Sequence, residues 1–491
     1  MSIALSSAAA PADASARPFE PAPLLIGFAV FALAAFSPAV LNDGDTWTHV
    51  ATGEWILAHG AVPRVDPFSF TFAGQPWIAH EWLSDVVMAL AYRAAGWSGV
   101  ALLTGLAAGG AVFVMARRAA RDLSGVALLV LVALAALLLA PSLLARPHIL
   151  ALPLLAIWAE GLFAAREADR APPIALAALM IPWANLHGGF AFGLALIAPF
   201  ALEARLAAAP ETRVAAIRDW GLFAFAGVVA AALTPFGVEG LLFPIRLIGL
   251  AHLGEIGEWR PENFAHPGPM EFALIALIGF ALTRPTRLSW LRLVLLLGLI
   301  HMGLQHGRHQ TLLAMLAPML LAPAIRPALG QSAPRARAPA SSAFILAAAA
   351  VALVLAGARL ALPIVRHDSA ASPIAAVAAV PPTLRAEPAL NGYGFGGYLI
   401  GAGIRPFVDG RADLYGDAFL DLYGKIAAGD RAALDEALVR WSIAWTIFAP
   451  GEPIVAVLDR EPGWRRLYAD RFAVVQARED APGAEGLREG N

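Results

Sequence analysis

The sequence predicts a polytopic α-helical membrane protein that carries a small extracytoplasmic α/β domain at its C-terminal end. Three observations lead there. Hydrophobic residues fill 59% of the 491 positions and charged residues only 15%, whereas a soluble domain is roughly 45–50% apolar with Gly counted. Apolar runs of bilayer-spanning length recur between Pro23 and Pro363 and then stop. The links between them alternate in character. One set is plain and Arg-rich: Arg117 to Arg121, Arg166 to Arg170, Arg205 to Arg218, Arg284 to Arg287, Arg326 to Arg337. The other holds the Trp, Asn and paired Asp residues, together with all 11 His. Positively charged links stay in the cytoplasm, so the chemically rich face is expected outside.

Composition narrows the function. A net charge of -2 leaves no basic face for nucleic acid. The absence of Cys removes disulfides, thiol catalysis and thiolate metal sites. Lys425 is the only lysine among 35 Lys and Arg residues, which indicates a GC-rich genome and hence a bacterial inner membrane.

Residues 1–21 read as a cytoplasmic tail. The next run, 22–41, exceeds the roughly 7–15 apolar residues of a signal-peptide core and is expected to be an uncleaved first crossing. A crossing helix needs about 20 apolar residues. By that measure about 11 crossings are expected, at 22–41, 97–116, 124–141, 149–165, 173–187, 188–204, 219–236, 270–283, 288–305, 308–325 and 341–362. Residues 82–95 and 238–252 are apolar but short, and are expected to lie in or dip into the outer interface. The first outer loop spans 42–82. Within it Asp45 opens an amphipathic helix whose Trp47, Val50, Ala51, Trp55 and Ala58 share a face suited to the lipid-headgroup boundary. From 363 to 491 the apolar runs shorten. Strands are expected at 406–409, 444–448 and 472–477, helices at 370–380, 416–428, 431–440 and 452–460, and disorder over the last ten or so residues.

Several outer-face residues could carry chemistry. Asp43 and Asp45, two apart in an extended segment, face the same way; they could chelate a hard cation such as Mg or Mn, or one could accept a proton from an attacking hydroxyl. The plainer reading makes Asp45 a helix N-cap. His49 follows on the same stretch, and His80-Glu81 precedes Trp82. Arg146, His148, Asn185 and His187 lie at outer helix ends, where polar groups usually face a wet cavity. Arg308 and His309 offer a cationic cradle for phosphate. Glu258-Trp259 could recognise a sugar or form an ordinary loop. In the C-terminal domain, Asn391 to Tyr398 and Asp409-Gly410-Arg411-Ala412-Asp413 are rich in Gly, Asp and Arg; they do not read as opening a helix. Asp409 and Arg411 could bind a polar ligand, or lock the domain onto the membrane part.

Asp43 to His49, Asp66-Pro67-Phe68-Ser69, His80-Glu81-Trp82-Leu83 and Asp409 to Tyr415 resemble a bacterial group of GT-C-like membrane proteins. The wider layout, with an acidic pair in the first outer loop and an outer C-terminal domain, resembles the GT-C superfamily. Its members, among them oligosaccharyltransferase catalytic subunits, take a sugar from a polyprenyl-phosphate carrier. The resemblance implies that Asp45 or Asp43 is the catalytic acidic residue; the remaining candidates rest on topology.

The expected function is therefore an inverting glycosyltransferase that draws on a polyprenyl-phosphate sugar in the bilayer and serves a glycan or lipid acceptor outside. Two alternatives are a non-catalytic envelope scaffold that binds glycan and a transporter of lipid-linked glycan.

Overall fold

The computed structural model describes residues 20–251, 254, 257–331 and 340–482. Most of the expected tail at 1–21, part of the Arg326 to Arg337 link and the expected C-terminal disorder lie outside the described residues.

Among the described residues, seven helices are long and apolar enough to cross a membrane and four more apolar helices are shorter. The short ones are Ala22–Phe36, Ile174–Leu186, Pro269–Thr283 and Trp290–Gln305. Each expected crossing overlaps one of these helices, although only the seven have the length for a full span. The outer walls of the bundle are greasy: Leu346, Leu353 and Val354 of Ser342–Ala361 are exposed, as a lipid-facing helix requires. Close helix contact is built from small residues. A Cβ on Gly109 would come within 2.6 Å of the Gly27 carbonyl, so Ala22–Phe36 crosses its neighbour almost backbone to backbone.

The short segment 82–95 joins the long helix Trp82–Ala119, but not as a straight rod. Ala95 and Gly96 are non-helical, and Gly96 takes φ +57°, open to Gly at little cost. The chain folds back there so tightly that a Cβ on Gly99 would meet the Ala91 carbonyl at 2.0 Å. The other short segment forms Val238–Ile248, beside the first outer loop, with Phe243 stacked on His80 at 4.0 Å.

The first-loop helix Asp45–His59 is packed rather than laid on lipid at its start. Trp47 sits edge-on to Trp97 and Tyr398, at 4.5 and 5.2 Å, and its indole donates to Ser372 Oγ. This corrects the interfacial role expected for Trp47. The periodicity was right for an amphipathic helix, but its partner is protein.

The C-terminal unit holds a four-stranded sheet ordered β1-β2-β4-β3, with β1 Ala389–Asn391, β2 Trp445–Phe448, β3 Trp464–Ala469 and β4 Val474–Arg478. β1 and β2 are parallel; the other pairs are antiparallel. The strand expected at 406–409 is absent apart from one bridge between Ala389 and Pro406. The Asn391 side chain does the pairing instead, accepting from Phe407 N–H and donating to the Val408 carbonyl. Phe70 and Phe72 of the first outer loop enter this unit's aromatic core, against Phe407, Tyr415 and Phe419. The loop and the C-terminal unit thus share one hydrophobic cluster.

Candidate active site

The site is built where the first outer loop meets the loop before Pro147–Glu167. Pro147 disfavours the helical region for the residue before it, and Arg146 is extended accordingly (φ -132°, ψ 160°). Two bonds fasten this loop to the chain on either side of the acidic pair: Ala145 N–H to the Val40 carbonyl at the end of the first crossing, and Thr46 Oγ1 of the first loop to the Ala145 carbonyl. Arg146 is thereby aimed at the acidic pair. Its Nε and Nη2 engage the two oxygens of Asp43, Nη2 also lies 3.0 Å from Asp45 Oδ2, and Nη1 donates to Glu258 Oε2 at 2.9 Å. Glu258 passes the chain of charge on to Arg308, 3.2 Å from its Oε1. Arg308 in turn stacks over Trp259, 4.4 Å from the ring centre.

Asp43 and Asp45 are not in one extended strand. Asp45 is the first residue of its helix and Gly44 the cap, while Asp43 Oδ1 accepts the Asp45 N–H at 3.1 Å. That places the two carboxyls in different surroundings. Burial pushes Asp43 up, but the Arg146 guanidinium outweighs it and holds the carboxyl below the usual range. For Asp45, burial and the neighbouring Asp43 and Glu258 charges prevail over Arg146, and its pKa rises to about 6. Its side chain lies between protein walls yet remains 29% accessible, where Asp43 is 7%.

A second polar group adjoins the first. His49 Nδ1 bonds Asp85 Oδ1 at 2.8 Å, and this partner overcomes the penalty of burial to raise His49 to about 9. Glu81 lies between two histidines: His80 Nε2 at 3.5 Å and His187 Nε2 at 3.7 Å. Those neighbours outweigh burial and hold the Glu81 carboxyl low. The His187 Nδ1 accepts the Gly189 N–H, so in the neutral ring the proton sits on Nε2, facing Glu81.

The two Gly-rich strings form the roof. Contrary to expectation, each opens a helix: Gly396–Gly401 follows the first and Ala412–Ala427 the second. The reason for glycine is contact. A Cβ on Gly397 would meet the Gly44 carbonyl at 2.1 Å, and one on Gly410 would meet Asp45 Oδ1 at 2.0 Å. The C-terminal unit therefore presses its backbone onto the acidic pair.

Compared with solved structures, the chain is similar to the apo form of the oligosaccharyltransferase of Archaeoglobus fulgidus, with a TM-score of 0.50 at 11% identity over 87% of this chain and 69% of that one. A second structure of that enzyme, tethered through a disulfide to an acceptor peptide containing the NVT sequon, gives 0.48 at 12% identity, over 87% and 68%. No family model matches the chain, and no curated protein does. The chain shares its fold with that oligosaccharyltransferase.

Within this fold, the sequence candidates divide. Asp43, Asp45, Arg146 and Arg308 converge on one charged cluster, and His49, His80, Glu81 and His187 make the group beside it. Others expected to bind substrate are occupied by the fold. Asn185 donates to the Ile181 and Leu233 carbonyls and accepts from Trp82 Nε1, which uses its amide as a bracket between helices. His148 bonds the Ser142 carbonyl with Nε2. Asp409 and Arg411 are a clamp: Arg411 bonds both oxygens of Asp409 and reaches Asp66 Oδ1 of the first loop at 2.7 Å. The domain-locking reading of that pair is the one its geometry fits. His309 packs edge-on to Trp259 at 5.9 Å rather than pointing at the acidic pair.

Asp85 is not among the residues the sequence singles out, while Glu258 reads there equally as a sugar contact or part of an ordinary loop. Asp85 had a signal: it lies four residues after Glu81, so the two carboxylates share a helical face. Glu258 had Trp259 beside it, but nothing in the sequence pairs it with Arg146 and Arg308.

The donor set does not suit a resident Mg or Mn ion. The oxygens of Asp43 and the inward oxygen of Asp45 already face Arg146. Among the described residues, no group of three or more His, Asp or Glu is placed to hold a metal.

Proposed function

We propose that this protein is a membrane glycosyltransferase that transfers a sugar from a polyprenyl-phosphate donor to an extracytoplasmic acceptor, with inversion. The observation that carries the reading is the pairing of Asp43 and Asp45 on Arg146, which leaves one carboxylate fixed and the other basic and accessible. Asp45 takes the proton of the acceptor hydroxyl as its oxygen attacks the anomeric carbon. The carbon–oxygen bond to the carrier phosphate breaks, and its electron pair leaves with the phosphate. Arg308, backed by the ring of Trp259, is the cation available to that growing charge. Attack opposite the leaving group gives inversion.

An apolar groove of about 560 Å³, lined by Trp82, Leu83, Ile181, Pro182, Leu233 and Pro235, supports entry of an isoprenoid chain from the side. The Arg-rich links support an orientation with the C-terminal domain outside.

The reading is tested in a deletion strain of the source bacterium. Its envelope glycans should lack one sugar or carry shortened chains by mass spectrometry, the wild-type gene should restore them, and Asp45→Asn should not. Full restoration by Asp45→Asn would refute the role of Asp45. It would favour the second reading, a glycan-binding scaffold, for which the roof of Gly410 over Asp45 is the supporting observation.

A further inference from the structure

The acidic cluster already contains its cation. Three acids, Asp43, Asp45 and Glu258, surround the Arg146 guanidinium, and all three of its nitrogens are engaged. Of the six carboxylate oxygens on these acids, five face an arginine: both on Asp43, Oδ2 on Asp45, Oε2 of Glu258 on Arg146 and Oε1 on Arg308. The sixth, Asp45 Oδ1, is packed against Gly410, where a Cβ would lie 2.0 Å away. A magnesium ion needs oxygens at roughly 2.0–2.1 Å in octahedral array. Here those oxygens are spread around a planar, delocalised fork instead, a shape that matches carboxylates two atoms at a time. Arg146 is also held in place by the backbone: Pro147 fixes its extended conformation, and Ala145 is bonded to Val40 and to Thr46 of the first loop.

We infer that Arg146 is the permanent cation of this site, standing where a divalent ion would otherwise bridge the acids, and that the cluster works without a metal. For the proposed transfer this has a chemical consequence. A guanidinium brings one positive charge and touches Asp45 through a single oxygen, so Asp45 stays a proton acceptor rather than becoming a metal ligand. That consequence rests on the reading of Asp45 as the base, whereas the occupancy of the site does not.

The test is Mn²⁺ binding to the purified full-length protein in detergent, read as loss of the free hexaaqua-ion signal in electron paramagnetic resonance. Wild type and Arg146→Lys should leave added Mn²⁺ free. Arg146→Ala, which exposes three carboxylates with no counter-charge between them, should bind one equivalent, and Arg146→Ala with Asp45→Asn should lose it. Wild-type uptake of one equivalent that disappears in Asp45→Asn would overturn the inference. So would an Arg146→Ala protein that unfolds at the wild-type temperature yet takes up no Mn²⁺. The comparison of wild type with Asp45→Asn decides the question even where Arg146→Ala cannot be purified folded. Because the signal reports metal alone, a protein that transfers no sugar can still pass or fail.

Discussion

Gly410 of the C-terminal unit lies directly against Asp45 of the first outer loop, so closely that a Cβ there would stand 2.0 Å from Asp45 Oδ1. The acidic residue most suited to chemistry is therefore positioned by a domain more than three hundred and fifty residues away in sequence. Gly410→Ala should push the Asp45 carboxyl out of its place. Overpacking of this kind costs about 1–3 kcal/mol, and a displacement of about 1 Å at a reacting group can cost about 10²-fold in rate. The expected outcome is a folded protein with a modestly lower unfolding temperature and about 10²-fold lower transfer. Unchanged transfer would show that the roof does not position Asp45.

The pH profile should be bell-shaped. Asp45, at about 6, must be ionised to accept a proton, so transfer rises as pH climbs through that value. His49, at about 9, is protonated below it and carries the charge that Asp85 pairs. Its folded pKa lies above the ordinary imidazole value, so its contribution to stability is complete below about pH 6.5 and is lost as pH rises through about 9. Measured kcat/KM should accordingly fall away on both sides of that window. Asp85→Asn, which removes the partner, should bring the alkaline limb down toward neutrality. A limb that stays in place would detach His49 from the activity.

The clamp predicts a stability effect separate from chemistry. Arg411 is 7% exposed, and Asp409 and Asp66 are buried with it. Removing one partner from a buried ionic group typically costs about 3–5 kcal/mol. Arg411→Ala should therefore lower the unfolding temperature sharply, and Asp66→Asn should lower it as well. A loss of substrate affinity with unfolding unchanged would return Arg411 to the binding role first expected of it.

Topology is directly measurable, since the chain has no cysteine of its own. The helix Pro147–Glu167 begins beside the acidic site and carries Glu160 and Glu167 toward Arg118 and Arg121, the start of the Arg-rich links. At about 1.5 Å per residue, the two ends are roughly 30 Å apart, a membrane thickness. His59→Cys should react with an impermeant maleimide in intact cells, and Arg213→Cys only after permeabilisation. Labelling of both from the same side would break the topology.

The sequence made some of this legible and hid the rest for identifiable reasons. The apolar runs announced their helices because lipid imposes one composition along a whole segment. Asp45 and Arg146 were visible as outer-face charges, but their meeting was not, because it depends on how Ala145 and Thr46 bolt two distant loops together. Pro406 to Asp409 reads as a short strand, but the Asn391 side chain, not a ladder, satisfies its backbone. Asn185 and Arg411 were chosen as ligands on the sound rule that buried polar groups have a purpose. In the structure their polar atoms bond other parts of the chain, partners that no sequence pattern shows.

The most direct test is transfer in proteoliposomes, using a panel of polyprenyl-phosphate sugars and the envelope glycan of the deletion strain as acceptor, with the anomeric configuration of the product read by NMR. Wild type should form an inverted linkage from one donor, and Asp45→Asn should lose about 10²–10⁴-fold of that rate. An Asp45→Asn protein as fast as wild type, or a product that retains the donor's configuration, would contradict the account.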